Sequence, residues 1–174
     1  MTLAHRPTIV LVGPMGAGKS TVGRYLAELL DWGFFDSDRE LEARCGANIP
    51  WIFDIEGEEG FRRRETEIIK DLVAKPQAVV ATGGGAILSE ENRALMLSKG
   101  TVIYLTAPVD ALFQRVAKDK ARPLLQVKKP RETYEQIFRQ RDPLYREVAD
   151  EVIVTDNLSS PAKVARSIFD ILKN

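Results

Sequence analysis

The stretch IVLVGPMGAGKS, residues 9–20, decides the fold of this chain. It opens with a short β-branched apolar run, which predicts a buried strand, and apolar side chains at helical spacing follow at residues 21–30. Between them, residues 13–20 fit the P-loop pattern G-x-x-x-x-G-K-S/T, in which backbone amides and a helix N-terminus cradle phosphate groups. A glycine-rich turn without a ligand is the alternative, but the flanking strand and helix favour a nucleotide-binding loop.

Four further apolar runs, at residues 34–35, 78–81, 101–105 and 151–155, alternate with helical patterns. This alternation predicts an α/β fold of three layers, with a five-stranded parallel sheet covered on both faces. Ligands then bind at the carboxyl ends of the strands. The predicted later helices are 38–73 in pieces broken at Gly46, Pro50 and Gly57, then 90–99, 108–118, 132–148 with a break at Pro143 left open, and 161–172.

The bulk composition narrows the class of protein. A chain of 174 residues fits one domain, residues 1–174, and 25 basic against 25 acidic residues argue against a nucleic-acid partner. A single cysteine, Cys45, excludes an intramolecular disulfide, and with one histidine, His5, a zinc site is excluded. No signal sequence or membrane span is visible, so a cytoplasmic protein without a membrane partner is expected, and zero net charge is compatible with a monomer.

Two carboxylates follow the second predicted strand. Lys19 and Ser20 of the P-loop suit the β- and γ-phosphates and Mg²⁺, and a kinase needs in addition an acceptor for a hydroxyl proton. In an extended segment Asp36 and Asp38 would face the same side. The strand at 78–81 ends without a carboxylate, so we assign Asp36 to the metal and Asp38 to the substrate. The alternative is that Asp38 only caps the next helix.

Arginines and glycines elsewhere suggest an anion site. Arg62, unlike Arg63 and Arg64, could face inward, and arginine suits bidentate binding of a carboxylate. Arg141 is a second candidate, although sequence alone does not bring the two together. The glycines at 83–85 allow close approach of a ligand or simply end the strand.

Residues 118–131 form a basic, proline-punctuated segment. The segment contains six basic residues and one acidic residue. This composition favours a mobile lid that closes over ATP, with Arg122 as the main contact. An ordinary solvated loop is the alternative.

In chain order, the motifs G-x-x-G-x-G-K-S, F-x-D-S-D, G-E-x-G-F-R, T-G-G-G, R-P-L-L and R-x-P-L-Y resemble the shikimate kinase family over residues 9–156. The resemblance implies transfer of phosphate from MgATP to the 3-hydroxyl of shikimate, in aromatic amino-acid synthesis. It also implies a nucleoside-monophosphate-kinase-like fold with a lid at about 118–131 and a small helical substrate-binding section at about 36–64.

The resemblance also assigns roles to residues. On the substrate side, Asp38 is the candidate base, Arg62 and Arg141 hold the carboxylate, and Gly84, flanked by Gly83 and Gly85, offers its backbone; Ile49, Phe53 and Phe61 resemble an apolar floor, which core packing explains equally well. On the ATP side, one Mg²⁺ per subunit is bound by Ser20 and supported through water by Asp36, with a catalytic role for Lys19 and for the lid residue Arg122. The remaining ATP-binding residues are Gly16, Ala17, Gly18, Thr21 and Arg115.

Three other functions are also compatible with the sequence. They are a kinase of another small hydroxylated acid such as gluconate, a nucleoside monophosphate kinase, and a P-loop switch module that signals by shape. Asp38, the two arginines and the basic segment favour a transferase over a switch.

Overall fold

A computed structural model describes residues 6–119, 126–156 and 158–174. Its five strands are all parallel, in the order β2-β3-β1-β4-β5, which confirms the predicted five-stranded α/β fold. The strands are β1 (Thr8–Val12), β2 (Gly33–Asp36), β3 (Ala78–Ala81), β4 (Thr101–Thr106) and β5 (Glu151–Val154). The central strand β1 pairs with β3 and β4, so the loop that follows β1 emerges at the middle of the sheet edge.

Helices cover both faces of this sheet. They are α1 (Lys19–Leu30), α2 (Ser37–Cys45), α3 (Ile49–Val73), α4 (Glu90–Lys99), α5 (Val109–Ala117), α6 (Pro130–Val148) and α7 (Pro161–Lys173), with a short 3-10 helix at Ala86–Leu88. Along β1, Ile9 and Leu11 pack with α1, α5 and α7, whereas Val10 and Val12 pack with α3, α4 and α6. Successive side chains of a strand point to opposite faces, so this one strand contributes to both halves of a three-layer core.

The structure contains some of the predicted helix breaks but not all of them. Gly46 ends α2 in the left-handed conformation, and Gly57 (φ 70°, ψ −179°) kinks α3, as expected. Pro50 instead lies in the first turn of α3, where proline needs no helical hydrogen bond. Pro143 lies inside a continuous α6. The buried side chains of Arg141 and Tyr145 flank it, and their packing outweighs the loss of one backbone hydrogen bond.

The segment predicted as a lid is described only in part. Helix α6 begins at Pro130, so the last two residues of the expected loop belong to that helix. Residues 120–125, including Arg122, lie outside the described residues. Within the ranges that the structure describes, no helix has both the length and the apolar character needed to cross a membrane.

Candidate active site

The loop between β1 and α1 has the backbone that its glycines allow. Gly16 and Gly18 both have φ of 87°, and a Cβ on Gly16 would lie 2.8 Å from the carbonyl oxygen of Leu112. A side chain at position 16 would therefore push the loop away from α5. Lys19 donates from Nζ to the carbonyl oxygens of Gly13 (2.6 Å) and Pro14 (3.0 Å), which holds its ammonium group against the loop.

Asp36 connects the start of α1 to the start of α2. Its Oδ1 accepts from the backbone amides of Asp38 (3.0 Å) and Arg39 (3.2 Å), so Asp36, and not Asp38, caps α2. Its Oδ2 accepts from the hydroxyl of Ser20 at 2.5 Å. A hydroxyl and a carboxylate oxygen beside a phosphate-binding loop are the donors that Mg²⁺ prefers, since this ion takes few protein ligands and completes its shell with phosphate and water.

Asp38 reaches the site by a different geometry from the one expected. Helix α2 begins at Ser37, so Asp38 lies in a helical turn and the alternation of an extended segment does not apply; that part of the prediction was wrong. Burial raises the pKa of the Asp38 carboxyl, and the neighbouring charge of Asp36 raises it further, whereas Lys19 and Arg62 oppose the shift. The group is thus a better proton acceptor than an exposed aspartate.

The turn after β3 brings the substrate-side candidates together. A Cβ on Gly83 would lie 2.6 Å from Oδ1 of Asp38, and one on Gly85 would lie 2.6 Å from Nη1 of Arg62. A Cβ on Gly84 would lie 3.6 Å from Nη1 of Arg141. We call residues 83–85 the glycine turn. One carboxylate and two guanidinium groups therefore converge on it, a juxtaposition that sequence reasoning could not establish.

The two arginines are held in different ways. Arg62 donates from Nη1 to Oε1 of Glu65 at 2.7 Å, and its guanidinium lies 5.1 Å from the ring centre of Phe61. Arg141 is only 9% exposed. Within the described part of the chain, the buried Nε atoms of both arginines have no hydrogen-bond partner. Buried donors of this kind favour an anionic ligand that can satisfy them.

Sequence reasoning missed three residues that support this cluster. Glu65 is 1% exposed, and burial raises the pKa of its carboxyl against the opposing charge of Arg62. Ser37 accepts at Oγ from the amide of Gly83 (3.0 Å), and Tyr145 donates its hydroxyl to the carbonyl oxygen of Gly84 (2.5 Å). Glu65 could have been found, because it follows Arg62 by three residues on one helix.

The residues of the expected apolar floor pack together. The rings of Phe53 and Phe61 stack with centres 4.6 Å apart, and both belong, with Ile49, to a core cluster that also contains Leu41 and Ile52. The packing therefore accounts for these side chains whether or not they also touch a ligand.

A separate cleft of about 250 Å³ lies beside the P-loop, and none of the residues of the glycine turn lines it. Arg115 contributes to it and donates from Nη1 to the carbonyl oxygen of Gly16 at 3.1 Å. The cleft is lined by Gly16, Ala17, Gly18, Thr21, Val22, Arg115, Thr155, Asp156, Ser159, Pro161 and Val164. The lining thus includes five of the expected ATP-binding residues, and Lys19 and Ser20 lie between Gly18 and Thr21 in the chain.

Comparison with known proteins agrees with this arrangement. The family model described as "Shikimate kinase" matches residues 15–173. The shikimate kinase of Histophilus somni (strain 2336) is 52% identical over 173 residues, covering 99% of this chain and 98% of that protein. The shikimate kinase of Chromohalobacter salexigens is 54% identical over 158 residues, covering 91% and 88%. A solved structure, shikimate kinase from Acinetobacter baumannii in complex with shikimate, superposes with a TM-score of 0.92 at 49% identity, covering 97% of this chain and 94% of that one. The chain therefore belongs to the shikimate kinase family.

Proposed function

We propose that this chain transfers the γ-phosphate of MgATP to the 3-hydroxyl of shikimate, a step of aromatic amino-acid synthesis. The observation that carries the proposal is the convergence of Asp38, Arg62 and Arg141 on the glycine turn. A substrate whose hydroxyl accepts the phosphate needs a base to take the hydroxyl proton, and its carboxylate needs positively charged partners. Asp38 can act as the base, and the two arginines can bind the carboxylate.

On the acceptor side, Arg62 and Arg141 bind the carboxylate of shikimate. Their planar guanidinium groups suit a bidentate carboxylate, and the backbone of Gly84 offers a further contact between them. Gly83 and Gly85 keep the turn free of side chains that would displace Asp38 and Arg62. Asp38 orients the ring hydroxyls and accepts the proton of the 3-hydroxyl, a role that its raised pKa favours.

On the nucleotide side, adenine lies in the cleft beside Arg115, and the phosphates lie along residues 16–21. Lys19 would exchange its contacts with the loop carbonyls for the β- and γ-phosphates. Ser20 holds one Mg²⁺ per subunit, with Asp36 supporting it through water. The ion, when bound, reduces the charge repulsion among the phosphate oxygens. Arg122 acts from the lid on the transferring phosphate.

The protein is further proposed to be a cytoplasmic monomer with no nucleic-acid partner. Balanced charge, 25 basic and 25 acidic residues, and a single cysteine support this.

A coupled assay of ADP formation tests the activity. It is run with shikimate, with gluconate and with no acceptor, and phosphorus NMR identifies the phosphorylated hydroxyl. We expect ADP formation to depend on shikimate and the product to carry phosphate at the 3-position. Turnover with gluconate alone would assign the chain to another hydroxy acid, and equal turnover without an acceptor would make it a nucleotide switch.

Arg62→Ala tests the carboxylate site against a matched control. Arg63 lies next to it on α3 but is exposed and pairs with Glu59, so Arg63→Ala removes an arginine without touching the glycine turn. We expect Arg62→Ala to weaken shikimate binding by about 30-fold or more, because a buried charge partner contributes about 2 to 5 kcal/mol. Arg63→Ala should bind shikimate normally, and equal effects of the two variants would contradict the assignment.

A further inference from the structure

The hydroxyl of Tyr145 lies where two parts of the candidate site, the glycine turn and Arg141, come close together. Tyr145 follows Arg141 by one turn of α6 and is 1% exposed. Its hydroxyl donates to the carbonyl oxygen of Gly84 at 2.5 Å. The guanidinium of Arg141 lies nearby, because its Nη1 and the hydroxyl oxygen of Tyr145 are each 3.6 Å from the position that a Cβ on Gly84 would take. The tyrosine hydroxyl thus holds the glycine turn at the place where Arg141 approaches it.

This hydroxyl is a permanent donor. Burial raises the pKa of Tyr145 to about 12, even though the neighbouring charge of Arg141 acts in the opposite direction. The phenol therefore keeps its proton at any pH at which the protein works, and its bond to Gly84 is not switched by pH.

A neighbouring tyrosine provides the contrast. The rings of Tyr104 and Tyr145 lie 5.0 Å apart, and Tyr104 is also fully buried. Its hydroxyl donates to Oδ1 of Asp142 at 2.6 Å, and Asp142 pairs with Arg146. The two side chains therefore share their size, burial and surroundings but differ in whether the hydroxyl reaches the glycine turn.

We propose that Tyr145 is a positioning residue for the phosphoryl acceptor. Its hydroxyl holds the peptide of Gly84 beside the guanidinium of Arg141, so that both meet the same carboxylate of the substrate. This inference rests on the proposed function, since it concerns the binding of shikimate. Without the hydroxyl, the carbonyl of Gly84 loses its hydrogen-bond donor and the glycine turn can shift relative to the guanidinium, which lowers the preorganisation of the site.

Tyr145→Phe and Tyr104→Phe form the test. Each removes one buried hydroxyl, so both should lower the melting temperature by a similar amount. Shikimate binding is measured by isothermal titration calorimetry without nucleotide, at a temperature where circular dichroism shows both variants folded. We expect Tyr145→Phe to weaken shikimate binding about tenfold, the cost of one hydrogen bond, and Tyr104→Phe to change it by less than about twofold. The KM for ATP should stay the same in both.

A double-mutant cycle separates positioning from a general structural effect. In an Arg141→Ala background, Tyr145→Phe should weaken shikimate binding little further, because the guanidinium with which the Gly84 peptide must be aligned is gone. Equal losses from the two tyrosine variants, an undiminished loss in the Arg141→Ala background, or failure of Tyr145→Phe alone to fold would each overturn the proposal. Wild-type protein that phosphorylates no shikimate would instead refute the proposed function itself.

Discussion

Gly85→Ala should weaken shikimate binding while leaving the fold intact. Gly85 has φ −89° and ψ −4°, which alanine adopts without strain. The added methyl carbon, however, would lie 2.6 Å from Nη1 and 2.8 Å from Cζ of Arg62, whereas ordinary contact begins at 3.4 Å. Arg62 is the flexible partner, so its guanidinium must retreat by about 1 Å, which is enough to break a short charge-assisted hydrogen bond.

The size of the effect follows from that displacement. Loss of one hydrogen bond to a charged group costs about 1.5 to 3 kcal/mol, which corresponds to about a ten- to hundredfold rise in the Kd for shikimate. Calorimetric titration with shikimate measures it, and thermal unfolding should show a much smaller change. ATP affinity should stay the same, because the three atoms nearest to the added methyl group all belong to Arg62.

Arg62→Ala provides the control for this prediction. If the methyl group acts by displacing Arg62, then Gly85→Ala should have almost no effect on shikimate binding once Arg62 is already alanine. A Gly85→Ala protein with wild-type affinity, or one whose loss is the same with and without Arg62, would refute the reasoning.

Three further predictions concern other groups of the site. Lys19→Ala should reduce turnover below about a tenth of wild type in the coupled assay while the melting temperature stays close to wild type, since the loop backbone remains. The kcat/KM of the wild type should fall as pH falls through the raised pKa of Asp38, because the protonated carboxyl accepts no proton. Asp38→Asn should lose most of the turnover and also this pH dependence. A variant with the pH profile of the wild type would exclude Asp38 as the base. Arg62→Ala should raise the pKa of Glu65 further. A carboxyl whose pKa is higher in the folded protein than in the unfolded chain destabilises the fold once the pH exceeds its pKa in the unfolded chain. The loss of stability caused by Arg62→Ala, measured by urea unfolding, should therefore be larger at about pH 8 than at about pH 5.

The sequence was informative wherever a local pattern has a local cause. The β-branched runs, the P-loop glycines and the helix-ending Gly46 each act within a few residues, and the structure has the expected element at each place. Pro143 was ambiguous for the opposite reason. Whether a helix survives an internal proline depends on the packing of its flanks, and Tyr145 packs against Tyr104 of β4 in a core cluster that also includes residues of α3, all distant from it in sequence.

In the candidate site, too, local features could be predicted from the sequence and long-range contacts could not. Asp36, Asp38, Arg62 and Arg141 could be selected from residue type and position, but their meeting at the glycine turn depends on long-range contacts. Tyr145 was given no role because, from the sequence alone, a buried tyrosine is indistinguishable from a core residue until its hydroxyl is seen to reach Gly84, 61 residues away. The roles of all these residues in catalysis and binding remain predictions.

The shared carboxylate of Asp36 has a consequence for how mutational scans of this protein should be interpreted. One oxygen secures the beginning of the helix that carries Asp38, and the other contacts Ser20 in the phosphate loop. A substitution of Asp36 therefore disturbs both the helix that carries Asp38 on the substrate side and the loop that binds phosphate. A loss of activity in such a variant does not by itself report on one of the two ligands. Asparagine retains a cap acceptor but loses the negative charge, whereas alanine loses both, so the difference between these two substitutions isolates the helix-capping contribution from the electrostatic one.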